Sequence, residues 1–433
     1  MDKNKSDIAP GIISRGKPLQ LPELLAPAGN YEKLVTAVHY GADAVYLGGK
    51  KYSLRAKAGN FSLEAMRQGV VFAHEHGVKV YVTVNIFAHN RDLADLPQYL
   101  VQLEKTGVDG LILSDPGILE TVKKVVPALS VHLSTQANVT NKLSAEFWLG
   151  QGASRLNLAR ELNLEEIAAI RNHVEGELEI FVHGALCISY SGRCMLSNYL
   201  TGRDANQGSC AHPCRFSYAL MEEKRPGEYF PVDEDERGTY IFNSKDLCLL
   251  EKLPLLVASG VDSLKIEGRM KSIFYVGGVV RVYRRALDYL ATLPATAWQN
   301  PEKIVMPQEF VAEIHRLGTR GTSENFIIDR PGSSEMIYSS SRMGQASEPV
   351  AVVRENSGPR LLVEMRNTVF PGETVEYMDR GMADQRVKIL SMTDEQDETV
   401  EKANPGNRVW LELDSSVETA AVNGIFRRTK IDA

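Results

Sequence analysis

Between Glu23 and about Leu290, short apolar runs alternate eight times with segments of helical spacing, and few architectures accommodate that rhythm. The runs are Glu23–Gly29, Ala44–Gly49, Lys79–Ile86, Gly110–Asp115, Val131–Ala137, Arg155–Arg160, Leu178–Gly184 and Ser263–Gly268. Segments such as Tyr31–Tyr40 and Leu63–His76 lie between them and stop at Gly41 and Gly77, as helices do. Eight strand–helix units over roughly 270 residues match a (β/α)8 barrel, whose usual size is about 250 residues. An open doubly wound sheet usually has fewer strands, and no Gly-x-Gly-x-x-Gly follows the first run. The expected fold class is therefore α/β: a TIM-like barrel with an insertion after its seventh strand and a small β-barrel behind it.

The expected layout is a flexible tail over 1–18, the α/β barrel over 19–292, a linker with a helical segment over 293–346, and a C-terminal β domain over 347–433. The seventh and eighth strands stand about 78 residues apart, and the insertion is assigned to 186–245. It contains strand-like runs at Arg215–Leu220 and Thr239–Asn243, with the charged stretch Glu222–Arg237 between them as a hairpin tip. A helix over Asp246–Ser259 then restores the barrel pattern. Insertions after barrel strands land on the C-terminal face, where barrel active sites lie. From Pro349 the runs PVAVVRE, RLLVEMRN, TVEYM, QRVKILSM and RVWLELD, with turns such as Pro371-Gly372, read as all-β.

A hydrophobic content of 43% is enough for a real core. No apolar run is long enough to span a bilayer, and Met1–Lys17 holds no signal-type apolar segment, so a cytoplasmic location is expected. The net charge of −6 argues against a generally basic surface, while leaving room for a local basic cleft.

Four of the five cysteines fall within 28 residues, spaced Cys187-x6-Cys194-x15-Cys210-x3-Cys214. That clustering points to metal binding before disulfides. Four thiolates suit tetrahedral zinc or an iron–sulfur cluster, and only Cys210 and Cys214 have the tight spacing structural zinc favours. Spacing and softness favour iron–sulfur, with zinc as the alternative. Cys248 reads as a core residue. His183, at the end of the seventh strand, is the better acid–base candidate; His212, between Cys210 and Cys214, reads as a neighbour able to hydrogen-bond a metal-bound sulfur.

In the segment EIFVHGALCISYSGRCMLSNYLTGRDANQGSCAHPCRF the chain resembles the collagenase-like U32 peptidase family, through Glu179, Phe181, Gly184, Ala185, Cys187, Gly192, Cys194 and Ser197. The resemblance runs from ELLAPAG through AVYLGG, HLSTQANVTN and SLKIEGRMKS into the β domain. It implies a 4Fe-4S cluster on the four cysteines and membership of a family that hydroxylates RNA or quinone precursors. Length and the extra domain resemble the branch that makes 5-hydroxyuridine at the tRNA wobble position with prephenate as co-substrate. The partner implied is the tRNA anticodon stem-loop. The ribosomal-RNA branch is longer and the quinone branch shorter. The peptidase label finds less support: there is no His-Glu-x-x-His or Gly-x-Ser-x-Gly, and a Cys187–His183 nucleophile would not need three companion cysteines.

Polar residues at the strand ends complete the expected site. His183, Arg55, Arg160, Lys265 and Glu267 are the catalytic candidates; Arg193, Arg269, Gln136 and Asn85 are the substrate-binding candidates. Arginine recognises carboxylates and phosphates bidentately, which suits a dicarboxylate or an RNA loop. The bland alternative pairs Arg160 and Lys265 with acids such as Glu267. Tyr52, Phe87, Tyr190 and Tyr199 could stack on a base, although for each of them packing against a neighbouring loop is the favoured reading. The Arg427-Arg428-x-Lys430 tail reads either as a phosphate contact or as a solvated end.

Overall fold

The computed structural model describes residues 20–54, 59–185, 196–203, 209–211, 220–221, 229–230, 233–235, 238–240, 243–318, 321–328, 336–337, 346–358, 360–417 and 419–430. Strands β1 (Glu23–Pro27), β2 (Ala44–Gly48), β3 (Lys79–Thr83), β4 (Gly110–Leu113), β5 (Ser130–Leu133), β6 (Arg155–Asn157), β7 (Glu177–Gly184) and β8 (Ser263–Ile266) pair in parallel in that order. β8 pairs with both β7 and β1 and closes the barrel expected from the alternation. Side chains of one parity, such as Leu24, Val45, Val80, Leu111 and Leu178, pack outward against the helices. Leu25, Ala44, Tyr46, Tyr81 and Ile112, of the other parity, form a separate cluster inside the lumen. Local chemistry starts the helices where the pattern demands: Asn30, Ser62, Asp115, Asn141, Asn163 and Ser272 each accept a backbone N–H of the first turn. Among the described residues no helix is long and apolar enough to cross a membrane.

The insertion departs from the expected layout. Leu220–Met221 pairs with Tyr229–Phe230, and Asp233–Asp235 with Gly238–Tyr240, so the charged stretch forms parts of two ladders and not one hairpin tip. The helix expected over Asp246–Ser259 begins only at Leu253, with Pro254 in its first turn. Asp246–Cys248 is instead a strand, antiparallel to the end of β7 and parallel to Thr322–Ser323. Backbone pairing with an exposed strand end outcompetes helical spacing here, and proline supplies the later start.

The C-terminal domain is a closed antiparallel barrel of β9 (Ser347–Asn356), β10 (Arg360–Met365), β11 (Thr374–Met378), β12 (Gln385–Thr393), β13 (Arg408–Leu413) and β14 (Ile425–Thr429), ordered β9-β10-β13-β12-β11-β14. β14 is the strand that the apolar pattern missed, because Arg427 stands where an apolar residue would. Arg427 is neither solvated nor available to phosphate: it is fully buried and bonds Glu313, Glu376 (2.7 Å) and Asp384 (2.5 Å). Arg428 is engaged by Glu348 (2.8 Å) and Glu373 (2.6 Å). Arg281, on the last barrel helix (Ile273–Thr292), joins the same network through Glu313 (2.6 Å) and Asp384 (2.5 Å). Tyr40, at the end of the first helix (Tyr31–His39), donates to Met378 O and accepts from Ile425 N, each at 3.1 Å. Val352, Met378 and Ile425 belong to the main barrel's apolar core, so the two domains share packing as well as charge.

Glu313, on the helix Gln308–Arg316, serves two fully buried guanidiniums. Replacing it with alanine leaves Arg281 and Arg427 short of a counter-charge, at an expected cost of about 3–5 kcal/mol. Urea denaturation of Glu313→Ala checks this, and a loss below about 1 kcal/mol, the range of an exposed pair, contradicts the network's role.

Candidate active site at the barrel mouth

The lumen is charged. Glu179, on β7, is 1% exposed and accepts from Lys265 Nζ (2.7 Å), Asn157 Nδ2 (2.7 Å) and Ser263 Oγ (3.2 Å), with Arg155 Nη1 at 3.5 Å. Burial alone would raise its pKa; Lys265 and Arg155 more than offset that and hold the carboxyl well below the usual carboxylate range. Toward the bottom, Arg155 bonds Glu23 (2.5 Å) and Glu177 (2.7 Å), and Tyr81 donates to Glu23 (2.9 Å). His132 meets Tyr81 edge-on with ring centres 4.3 Å apart; burial and then Arg155 lower its pKa to about 3. The Lys265 ammonium lies 4.8 Å from the Tyr46 ring centre and 5.5 Å from that of Phe181. Tyr46 in turn donates to Glu267 Oε2 (3.2 Å).

Above this layer, Arg269 is 3% exposed and committed to the protein. Its guanidinium donates to Ser53 Oγ (2.9 Å), Thr83 Oγ1 (3.0 Å), Leu54 O (2.9 Å) and Asn60 Oδ1 (2.8 Å). Expected as a substrate contact, the guanidinium ties the segment after β8 to β3 and to the loop after β2. Gly48 makes room for it: a Cβ there would stand 2.6 Å from Arg269 Nη2 and 2.3 Å from Ser53 Oγ. Arg160 lies over Phe181 (5.4 Å to the ring centre) and donates to Ala185 O (3.4 Å), where the chain leaves β7 toward the cysteines. Asn85 and Gln136, both expected in the site, are brought together: Asn85 Nδ2 donates to Gln136 Oε1 at 2.8 Å.

His183 does not join them. The β7–β8 register shifts between Lys265 and Ile266, and the ring is packed against Tyr275 and Tyr283 of the last barrel helix. Tyr283 donates its proton to Val182 O (2.8 Å), so the 3.3 Å contact from His183 Nδ1 makes Nδ1–H the donor, and Nε2 has no partner among the described residues. Burial is the main force lowering its pKa to about 4, and it is neutral near pH 7. A β-bulge, which spacing alone does not reveal, re-aims this side chain.

Of the four clustered cysteines only Cys210 falls among the described residues, half-buried; Cys187, Cys194, Cys214 and His212 lie outside them, as do Arg55 and Arg193. Around Cys210 the chain is tied locally. Ser197 Oγ donates to Arg203 O (2.6 Å) and accepts from Ala211 N (2.9 Å), while Arg203 donates to Ser209 O (3.2 Å) and Cys210 O (3.4 Å). Arg203 was not among the expected residues; its position in the insertion was the only available signal. Cys248 is separate: burial raises its pKa, and Sγ lies 3.9 Å from Tyr283 Oη. Among the described residues no group of three or more His, Cys, Asp or Glu forms a metal site.

His183 generates a pH dependence. Its pKa is lower folded than unfolded, so the unfolded chain binds more protons and stability falls as pH drops below about 6.5 toward 4. The loss from this residue should be on the order of 3 kcal/mol. His183→Phe keeps the ring and removes the titration, so urea denaturation across that range should show a shallower decline than wild type. An unchanged decline would mean that the ring is not held neutral.

A model described as peptidase family U32 matches residues 29–337, and one described as the peptidase family U32 C-terminal domain matches 346–422. The tRNA hydroxylation protein P1 of Bacillus subtilis (strain 168) is 39% identical over 92% of this chain and 93% of its own length. The tRNA hydroxylation protein P of Escherichia coli (strain K12) is 38% identical over 82% of this chain and 86% of its own. The 23S rRNA 5-hydroxycytidine C2501 synthase of Escherichia coli (strain K12) is 36% identical over 72% of this chain, but over only 46% of its own length. With the first match covering β2 to β8 of the α/β barrel and the second β9 to β13 of the antiparallel barrel behind it, this chain belongs to peptidase family U32 and carries that family's C-terminal domain.

Proposed function

We propose that this chain is a tRNA-modifying hydroxylase that forms 5-hydroxyuridine at the anticodon wobble position, with prephenate as co-substrate and a 4Fe-4S cluster on Cys187, Cys194, Cys210 and Cys214. The observation that carries the reading is near end-to-end similarity to proteins named for tRNA hydroxylation in two bacteria. The rRNA synthase supports hydroxylation as family chemistry, but this chain spans less than half of it.

The donor set fits the cofactor: four thiols lie within 28 residues, and Cys210 sits in a segment tied by Ser197 and Arg203. Zinc remains the competing occupant by donor chemistry. When bound, a cluster with four protein thiolates supplies one-electron chemistry or rigidity. Replacing C5–H of uridine by C5–OH is a two-electron oxidation that needs both an electron acceptor and an oxygen source, which is why the reading includes a co-substrate, prephenate, beside the cluster. The residues beneath the mouth have electrostatic tasks: Lys265 offers a positive centre, with its Glu179 partner fixing where the ammonium lies. Arg160 holds the departure of the cysteine-bearing segment at Ala185. The peptidase reading would require His183 to take a proton from Cys187, and a buried ring set edge-on against Tyr283, with its pKa lowered to about 4, is a weak base for that task.

The test is nucleoside mass spectrometry of tRNA from a deletion strain grown without oxygen, so that no oxygen-dependent enzyme masks the effect. Nucleosides derived from 5-hydroxyuridine should vanish, return with the wild-type chain, and stay absent with Cys210→Ser. Unchanged nucleosides in the deletion strain reject the assignment.

A further inference from the structure

Gln136 and Ser114 are buried donors that the described residues leave without partners. Gln136 is 6% exposed and Ser114 9%, and neither Gln136 Nε2 nor Ser114 Oγ has a hydrogen-bond partner among the described residues. Leaving such a group unpaired costs about 1–3 kcal/mol, so two together at one place invite a functional explanation.

The orientation of the Gln136 amide follows from a backbone donor. Leu54 N–H can only donate, and it bonds Asn85 Oδ1 at 3.2 Å. The other end of the Asn85 amide is therefore Nδ2, which donates to Gln136 at 2.8 Å, so the atom it meets is Oε1. Ser134 Oγ also donates to Oε1, at 3.2 Å. Because Asn85 Nδ2 can only donate, the Gln136 amide cannot flip without losing that bond, and Nε2 is left as a fixed donor.

Asn85 follows β3 and Gln136 follows β5, so their bond spans the C-terminal end of β4, the strand between them. Ser114 follows the last residue of β4, in the parity of the lumen residue Ile112. Two donors without partners among the described residues thus follow the C-terminal ends of adjacent strands, β4 and β5, on one wall of the mouth, while Arg269 on the β8 side is committed to the protein. We propose that Gln136 Nε2 and Ser114 Oγ form a subsite for an oxygen acceptor: a carboxylate of the small-molecule co-substrate or a carbonyl of the base. This rests on the hydroxylase reading for the choice of probes.

Calorimetric titration of the purified full chain with prephenate, and separately with an anticodon stem-loop RNA, tests the subsite without requiring turnover. Gln136→Glu keeps the size and the Oε1 contact but turns the donor into an acceptor; it should weaken the affected ligand about a hundredfold, and Ser114→Ala about tenfold. A loss confined to prephenate assigns the carboxylate, and a loss confined to RNA assigns the carbonyl. Ser114→Ala should leave the melting temperature unchanged or raise it, since an unpaired hydroxyl is removed. Wild type that binds while both variants bind equally well overturns the subsite alone. A lowered melting temperature with intact binding in Ser114→Ala also overturns it, because the hydroxyl is then structural. Wild type that binds neither probe overturns the hydroxylase reading and the subsite with it.

Discussion

Glu179 carries a negative charge in the middle of the barrel with almost no exposure, and the surrounding strands are organised around neutralising it. Lys265 comes from β8, Arg155 and Asn157 from β6, and Ser263 from the start of β8. A barrel interior is usually layered with bulky apolar side chains. Here an apolar cluster of Leu25, Ala44, Tyr46, Tyr81 and Ile112 shares the lumen with an ion network. Such networks add little net stability over apolar packing, but removing one partner is expensive, so they hold geometry. The geometry held is the Lys265 ammonium between the Tyr46 and Phe181 rings, just below the mouth.

The mouth extends the same logic outward. Arg269 fastens the loop after β2, Arg160 the exit of β7, and Arg203 the backbone beside Cys210. These guanidiniums have acceptors within the protein, and the proposed subsite rests instead on neutral amide and hydroxyl donors that follow β4 and β5. The C-terminal barrel repeats the device between domains, where Arg281 and Arg427 share Glu313 and Asp384. Charge buried inside the protein therefore builds both the catalytic face and the join to the second domain.

The sequence pattern carried the fold far because apolar alternation is a direct image of burial. The eight barrel strands and five of the six C-terminal strands lie where their apolar residues point. β14 escaped because Arg427 is buried by pairing, which a hydropathy pattern reads as exposure. The helix expected at Asp246 was mistaken because helical spacing cannot register an available strand edge. In the site, residue type and strand-end position picked out Asn85, Gln136, Lys265 and Glu267, which do gather at the mouth. The surroundings of Arg269 and His183 were not legible: protein acceptors from the loop after β2 and from β3, and a register shift between β7 and β8, set them, and both depend on residues distant in sequence.

A double-mutant cycle on the pair at the base of the site tests most directly the claim that the mouth rests on a neutralised buried carboxylate. Unfolding free energies would be measured for wild type, Glu179→Gln, Lys265→Met and the double variant. Each single change should cost about 3–5 kcal/mol, because it leaves its partner's charge unbalanced, and the double should cost well under their sum. Losses that add within about 0.5 kcal/mol would mean that the two residues do not depend on each other, and the account would be wrong at its base.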